Sequence, residues 1–292
     1  MAFLIRLSFL ALATLLLLPL PANGQWVQAP GTGWIELQAA HHDTRERFDA
    51  DGRVESLFDE EARSITTTVE LSGAVGLFRG VDLWLQVPFH RLTFRDVVET
   101  RRSTGVGDPR FFLRVGPEIV GFEEAPPIAL RAGVKLPAGD FPIDAEIIPL
   151  SEGQRDWELL LEVGHSFYPL PVYAMAWGGY RWREINSDVN RKPGDEWILH
   201  AATGGELPGS FAWKVAFDGL WGLSPERRLS SGIVLPLNRD RRRLLQVMPE
   251  VGREVGPGMV TAGARVPVAG RNLPAGPSFT IGYILSWDGG LW

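Results

Sequence analysis

Alternation of apolar and polar residues with a period of two, repeated along most of the chain, limits most strongly what this sequence can fold into. Within Thr104 to Asp140, Pro109, Phe111, Leu113 and Val115 alternate with Asp108, Arg110, Phe112 and Arg114. Further on, Ile128, Leu130, Ala132, Val134 and Leu136 alternate with Ala129, Arg131, Gly133 and Lys135. Successive side chains of a strand point to opposite faces, so each segment is a strand with one apolar and one polar face. In a soluble sandwich the polar face looks out to water. Here the charged face is long and recurs down the chain, which suits a membrane barrel with lipid outside and a polar lumen inside.

The alternation predicts about twelve strands, at 33–42, 62–78, 80–94, 105–116, 127–137, 154–168, 170–184, 194–206, 210–222, 243–254, 258–268 and 276–287. Their connections alternate in length. Arg79, Pro169, Leu207-Pro208-Gly209 and Val255-Gly256-Pro257 mark tight turns. The segments 43–61, 95–104, 138–153, 185–193, 223–242 and 269–275 are long and polar. Long loops at one end and short turns at the other are the asymmetry of an outer-membrane barrel, and an even strand number puts both termini at the turn end. The linker Pro117–Pro126 is the longest on the short side. Of the long connections, 223–242, with the run GIVLPLN at Gly232–Asn238, is the better candidate for a plug.

Residues 1–24 read as a secretory signal peptide: Arg6, an apolar core from Leu7 to Leu18, then Pro19, Pro21 and the small-residue site Ala22-Asn23-Gly24. The core is shorter than the ~20 apolar residues of a spanning helix. Removing it leaves 292 − 24 = 268 residues for a single barrel at 25–292, with a formal net charge of −6 − 1 = −7, which argues against nucleic acid as a partner. Zero cysteines exclude a disulfide framework and a thiol nucleophile. Eleven tryptophans suit interfacial girdles, and Trp157, Trp182, Trp197, Trp213 and Trp221 fall near predicted strand ends. The last strand ends at Trp287 or, past a bulge at Gly289-Gly290, at Trp292.

The polar faces give the candidate lumen residues: Asp82, Asp108, Arg110, Arg114, Arg131, Lys135, Asp156, Glu158, Glu162, Arg181, Arg183, Lys214, Asp218 and Glu250. Glu36, Glu70, Glu196 and Arg265 join them, and Trp84, Phe112, Tyr173 and Trp177 are the aromatic residues expected inside. Basic and acidic strands neighbour one another, so these charges either pair and hold the wall together or filter passing solutes. His41-His42-Asp43, near the acidic run Asp59-Glu60-Glu61, has no second spaced histidine pair and reads as solvated loop rather than metal site. His165 and Ser166 are adjacent in a strand and face opposite ways, so they cannot form a nucleophile–base pair. No catalytic residue, metal site or cofactor is expected.

TGVGD, LRAGVKLPAGD, EGQRDWELLLEVGHSF, YAMAWGGYRWRE and GRNLPAG resemble motifs of the bacterial outer-membrane barrels grouped as the MetA-pathway of phenol degradation family. The resemblance runs from about Gly33 to the C-terminus. It implies a porin-like or transporter-like barrel with no catalytic residues to carry over, and it supplies the expectation of aromatic or apolar solutes. The sequence thus predicts an all-β, transmembrane, antiparallel up-and-down barrel of about twelve strands in a bacterial outer membrane. Its expected role is passive passage of small solutes. The alternative is a structural or surface-interaction barrel whose lumen is closed by salt bridges. Its expected partners are outer-membrane lipid and, during assembly, periplasmic chaperones and the barrel-insertion machinery.

Overall fold

The computed structural model describes residues 27–57, 62–122, 126–139 and 147–288. The predicted leader 1–24, the acidic run Asp59-Glu60-Glu61 and Trp292 lie outside the described residues. Twelve antiparallel staves form one closed sheet: β1 (Gly33–Thr44), β2 (Arg63–Phe78), β3 (Val81–Arg95), β4 in two pieces (Thr100–Val106 and Arg110–Val115), β5 (Ile128–Lys135), β6 (Asp156–Ser166), β7 (Val172–Arg183), β8 (Glu196–Leu207), β9 (Phe211–Gly222), β10 (Arg243–Val255), β11 (Gly258–Arg271) and β12 (Ser278–Trp287). Each stave pairs with the next in sequence. The ring closes where β12 pairs with β1, from Gly33 opposite Trp287 to His42 opposite Ser278. Closure leaves no open sheet edge within the hydrocarbon, where an unpaired amide costs several kcal/mol.

Parity assigns the faces. On β3, Val81, Leu83, Leu85, Val87 and Phe89 share the outer face, and on β6, Trp157, Leu159, Leu161 and Val163 do. An apolar stripe of this length spans the ~25 Å lipid band. Trp157, Trp182 and Trp197 are exposed at the end that carries the long connections, hereafter the loop end. Trp182 lies opposite Trp157 and Trp221 opposite Trp197 in the pairing register, which makes half a girdle there. Trp213 stands near the opposite, turn end of β9. Trp287 closes β12, and its indole nitrogen donates to the Gly31 carbonyl at 2.9 Å.

Two features differ from the strand pattern in the sequence. The strand expected over 105–116 begins at Thr100 and breaks at Gly107-Asp108-Pro109, so the connection after β3 shrinks to the turn 96–99. Pro109 has no N–H for the ladder, and the phase slips across the break: Val106, opposite the outward Phe89, and Phe111, opposite the outward Leu85, both point out. Because β5 stops at Lys135, Thr100–Val106 has a strand partner only on its β3 side among the described residues.

The second difference is in the loops, which carry small sheets of their own. Glu46–Phe48 pairs with Val54–Ser56 and Leu273–Pro274, and Glu226–Arg228 pairs with Arg191–Lys192 and Val234–Pro236. Val234–Pro236 is exposed throughout, so the GIVLPLN run is surface sheet at the loop end and not a plug.

The seam of the barrel depends on a missing side chain. A Cβ on Gly33 would sit 2.3 Å from the Ala74 carbonyl oxygen and 2.5 Å from the Trp287 ring. Gly33→Val is therefore expected to push β1 off its neighbours at a cost of roughly 1–3 kcal/mol. The check is the fraction of chain that migrates as heat-modifiable folded barrel on unboiled gels, which should fall; an unchanged fraction contradicts this view of the seam.

Candidate functional site

The inner positions line up in rows because the register of each pair carries one polar face onto the next. One row runs Gln86, Arg110, Lys135, Asp156 and Arg183 across β3 to β7. Another places Asp82, Arg114 and Arg131 side by side across β3 to β5. Two arginines directly opposite would repel. Here the neighbouring carboxylates resolve the conflict. Arg114 donates to Asp82 at 3.0 Å through Nε and lies 3.3 Å from Glu162, while Arg131 Nε lies 2.9 Å from the other oxygen of Glu162. All four side chains are buried.

A second cluster continues toward the loop end. Lys135 Nζ reaches Asp108 at 3.1 Å, Glu152 at 2.6 Å and Asp156 at 3.1 Å. Arg183 spans Glu152 at 2.6 Å, Asp156 at 3.4 Å and Glu196 at 3.3 Å. Arg181 joins Glu158 at 2.8 Å to Glu196 at 2.7 Å, and Arg242 descends from its loop onto Glu196 at 2.6 Å. Charges taken this far from water need partners and hydrogen bonds, and here Lys135 and Arg183 each meet three carboxylates and Arg181 two.

Two members of this cluster, Glu152 and Arg242, come from connections that the alternation leaves as loops. Glu152 is carried inward because Asp108, in the break of β4, accepts the backbone N–H groups of Ala138 and Glu152, both at 3.0 Å. Desolvation acts to raise the pKa of Glu152, but Arg183, Lys135 and Arg242 outweigh it and hold the carboxyl well below the usual range. Its side chain keeps 42% of its surface open toward the mouth.

Aromatic rings pack against the same wall. The Arg131 guanidinium lies over Trp84 at 4.8 Å, Phe112 at 5.0 Å and Trp177 at 4.7 Å. Trp34 meets Trp84 edge-on at 5.4 Å, and Trp177 stacks on His200 at 5.0 Å. Ring faces attract a desolvated cation by about 0.5–2 kcal/mol each. Trp34 and His200 are the members of this group not singled out from the sequence; the strand of Trp34 carries no aromatic neighbour to mark it. Ion pairs and rings together pack the lumen next to β3–β8, leaving a cavity of about 260 Å³ beside Glu152, Arg183, Glu196 and Arg242.

The remaining candidates face a different environment. Lys214 and Glu250 pair at 2.7 Å and border a cavity of about 1180 Å³ at the turn end, together with Tyr173, Met259 and Ile284. Asp218 accepts from Gln246 at 3.1 Å and lies 2.6 Å from His200 Nδ1. Arg110 and Asp108 line a cavity of about 350 Å³ with Gln38, Glu70 and Arg265, and Arg265 also lines one of about 330 Å³ nearer the loops. Polar side chains at inner positions lie beside these cavities. Arg265 donates to Gln38 at 2.7 Å, Gln38 donates to Glu36 at 3.3 Å, and across from them is the Lys214–Glu250 pair.

The histidines do not gather. His41 points outward and contacts Thr67 at 2.9 Å, whereas His42 points inward to the Ala275 carbonyl at 3.2 Å. Among the described residues no His, Asp and Glu group could hold a metal ion.

A family model described as "Putative MetA-pathway of phenol degradation" matches residues 46–282. No curated protein matches the chain. The fold is similar to that of an outer membrane channel from Pseudomonas putida F1, with a TM-score of 0.68 at 13% identity over 91% of this chain and 99% of that one. Weaker overlaps, at TM-scores of 0.29 and 0.20 and 9% identity, are with the toluene transporter TbuX of Ralstonia pickettii (89% and 90% covered) and the outer membrane protein OprG of Pseudomonas aeruginosa (91% and 100% covered). These two carry no structural argument.

The network makes two tests. Lys135→Gln removes the cation shared by Asp108, Glu152 and Asp156 and strips Asp108 of its ionic partner among the described residues, and is expected to cost about 3–5 kcal/mol in urea unfolding from lipid or detergent; a loss under 1 kcal/mol would contradict the burial described. Glu152, with its folded pKa depressed, stabilises fully above its unfolded value of about 4.3, and this contribution is lost as pH falls toward the folded value. The melting temperature of Glu152→Gln should therefore lie below that of the parent at pH 7, and the gap should narrow as the pH is lowered from about 5 to 3. A gap independent of pH would remove Glu152 from the network.

Proposed function

This chain belongs to the family described as MetA-pathway of phenol degradation, and from that membership and the shape of its lumen we propose that it is an outer membrane channel for passive passage of small solutes, aromatic and apolar compounds in particular. In this reading the loop end faces outward and the turn end faces the periplasm. The observation that carries it is a series of cavities along the lumen: one of about 1180 Å³ at the turn end, one of about 350 Å³ with Gln38, Glu70 and Arg265 on one side and Asp108, Lys135 and Glu152 of the ion-paired wall on the other, and one of about 330 Å³ nearer the loops. Lys214 and Glu250 border the large cavity and Gln38 and Arg265 the 350 Å³ one, with Glu36 accepting from Gln38. The wall of the large cavity mixes Tyr173, Met259 and Ile284 with that one ion pair, a surface that a small aromatic can wet without a fixed binding site. The buried ion network favours a second reading, a structural barrel with a closed lumen.

Single-channel recording in planar bilayers separates the two. The channel reading expects discrete current steps, and it expects Gly282→Val to reduce them. A Cβ at Gly282 would stand 2.9 Å from Thr261 Oγ1 and 3.0 Å from Glu36 Oε1, so a larger side chain crowds the narrow part of the path. A folded, inserted barrel that carries no current supports the closed structural reading instead.

A further inference from the structure

Outside the lumen, one group of charges has no explanation in the fold. Arg91 and Arg95 lie on the outer face of β3 at its loop end, and Arg102 lies on the outer face of the upper piece of β4. Arg102 is directly opposite Thr93, between the two, so it is the diagonal neighbour of both. All three are exposed. Like charges packed this way repel, and a sheet normally intersperses carboxylates among them.

Among the described residues the carboxylates close by are already engaged. Asp96 and Glu99 pair with Arg101 at 2.5 and 3.2 Å, and Arg101 is on the inward-facing side, over the Phe94 ring. Asp43 is held by Arg63. Among the described residues Arg91, Arg95 and Arg102 have no ionic partner.

Their height on the barrel says what could supply one. Immediately below Arg91 is the outward pair Phe89 and Val106, 45% and 50% exposed, the top of the apolar band on these staves. The arginines thus stand at headgroup level, directly above lipid tails. Beside them Thr100–Val106 has, among the described residues, a strand partner on one side only. Four residues of extended strand place Arg91 and Arg95 about 13 Å apart, too far for a single phosphate to bridge and suited to a headgroup carrying two.

We propose that Arg91, Arg95 and Arg102 form a docking site on the outer wall for an outer-leaflet lipid that bears two phosphate groups. Guanidinium forks match phosphate oxygens bidentately. The acyl chains of the lipid would lie along Phe89, Val106 and the stripe below. The site rests on the barrel standing in an outer membrane with its loop end outward, as in the functional reading above, and is independent of whether the lumen conducts.

The test uses the full-length barrel purified in detergent and native mass spectrometry, with diphosphoryl lipid A, monophosphoryl lipid A, phosphatidylcholine and inorganic phosphate as probes. The parent is expected to retain diphosphoryl lipid A preferentially. The triple variant R91Q/R95Q/R102Q is expected to bind it on the order of 100-fold more weakly, while keeping its heat-modifiable migration and its single-channel behaviour. Equal affinity in parent and variant would overturn the site, as would equal retention of phosphatidylcholine. If inorganic phosphate at millimolar concentration displaces the lipid completely, the site is one for a free anion, and the lipid assignment fails.

Discussion

The backbone hydrogen bond that has no water to fall back on governs this structure. A sheet crossing hydrocarbon cannot leave an edge, so the first and last staves must meet, and they do so from Gly33–Trp287 to His42–Ser278. Once the sheet closes, the period of two becomes a partition between lipid and lumen. Every charge on an inner position is then confined with every other. Pairing follows from that confinement: Arg114 and Arg131, forced side by side by register, share Glu162 between them.

The confinement is uneven. Staves β3 to β8 bring Asp82, Arg114, Arg131, Lys135, Asp156, Glu158, Glu162, Arg181, Arg183 and Glu196 into one buried sheet of ion pairs. Side chains that reach two or three partners cannot swing aside for a solute, because releasing one strands the others. The wall across from them carries fewer charges, and the 350 Å³ cavity lies between it and Asp108, Lys135 and Glu152. In the proposed channel, Glu36, Gln38, Arg265, Lys214 and Glu250 are the side chains left beside the path.

Much of this architecture was legible in the sequence, since alternation is a local signal and closure forces its consequences. The predicted strand over 80–94 runs Val81–Arg95, and the pattern that marks Trp157 and Trp182 as outward also places them in the girdle. What was not legible depends on reach rather than parity. A pattern shows that Arg183 faces in; it does not show that a long side chain spans Asp156, Glu152 and Glu196 on three different segments. Glu152 and Arg242 come from loops, where no periodicity marks direction. Pro109 was the available signal for the break in β4, because a proline inside a central strand contradicts an unbroken ladder.

The division of the lumen into a filled and an open half is the central claim, and thiol accessibility tests it most directly, because the chain has no cysteine of its own. Thr68→Cys places a thiol on the 350 Å³ cavity, and Leu160→Cys places one on the filled wall, where the native side chain is 1% exposed. A charged, water-soluble thiol reagent added to the inserted barrel should modify the first and cut its current, and should leave the second unmodified. Equal modification of both positions, or an inert Thr68→Cys in a conducting barrel, would contradict the account.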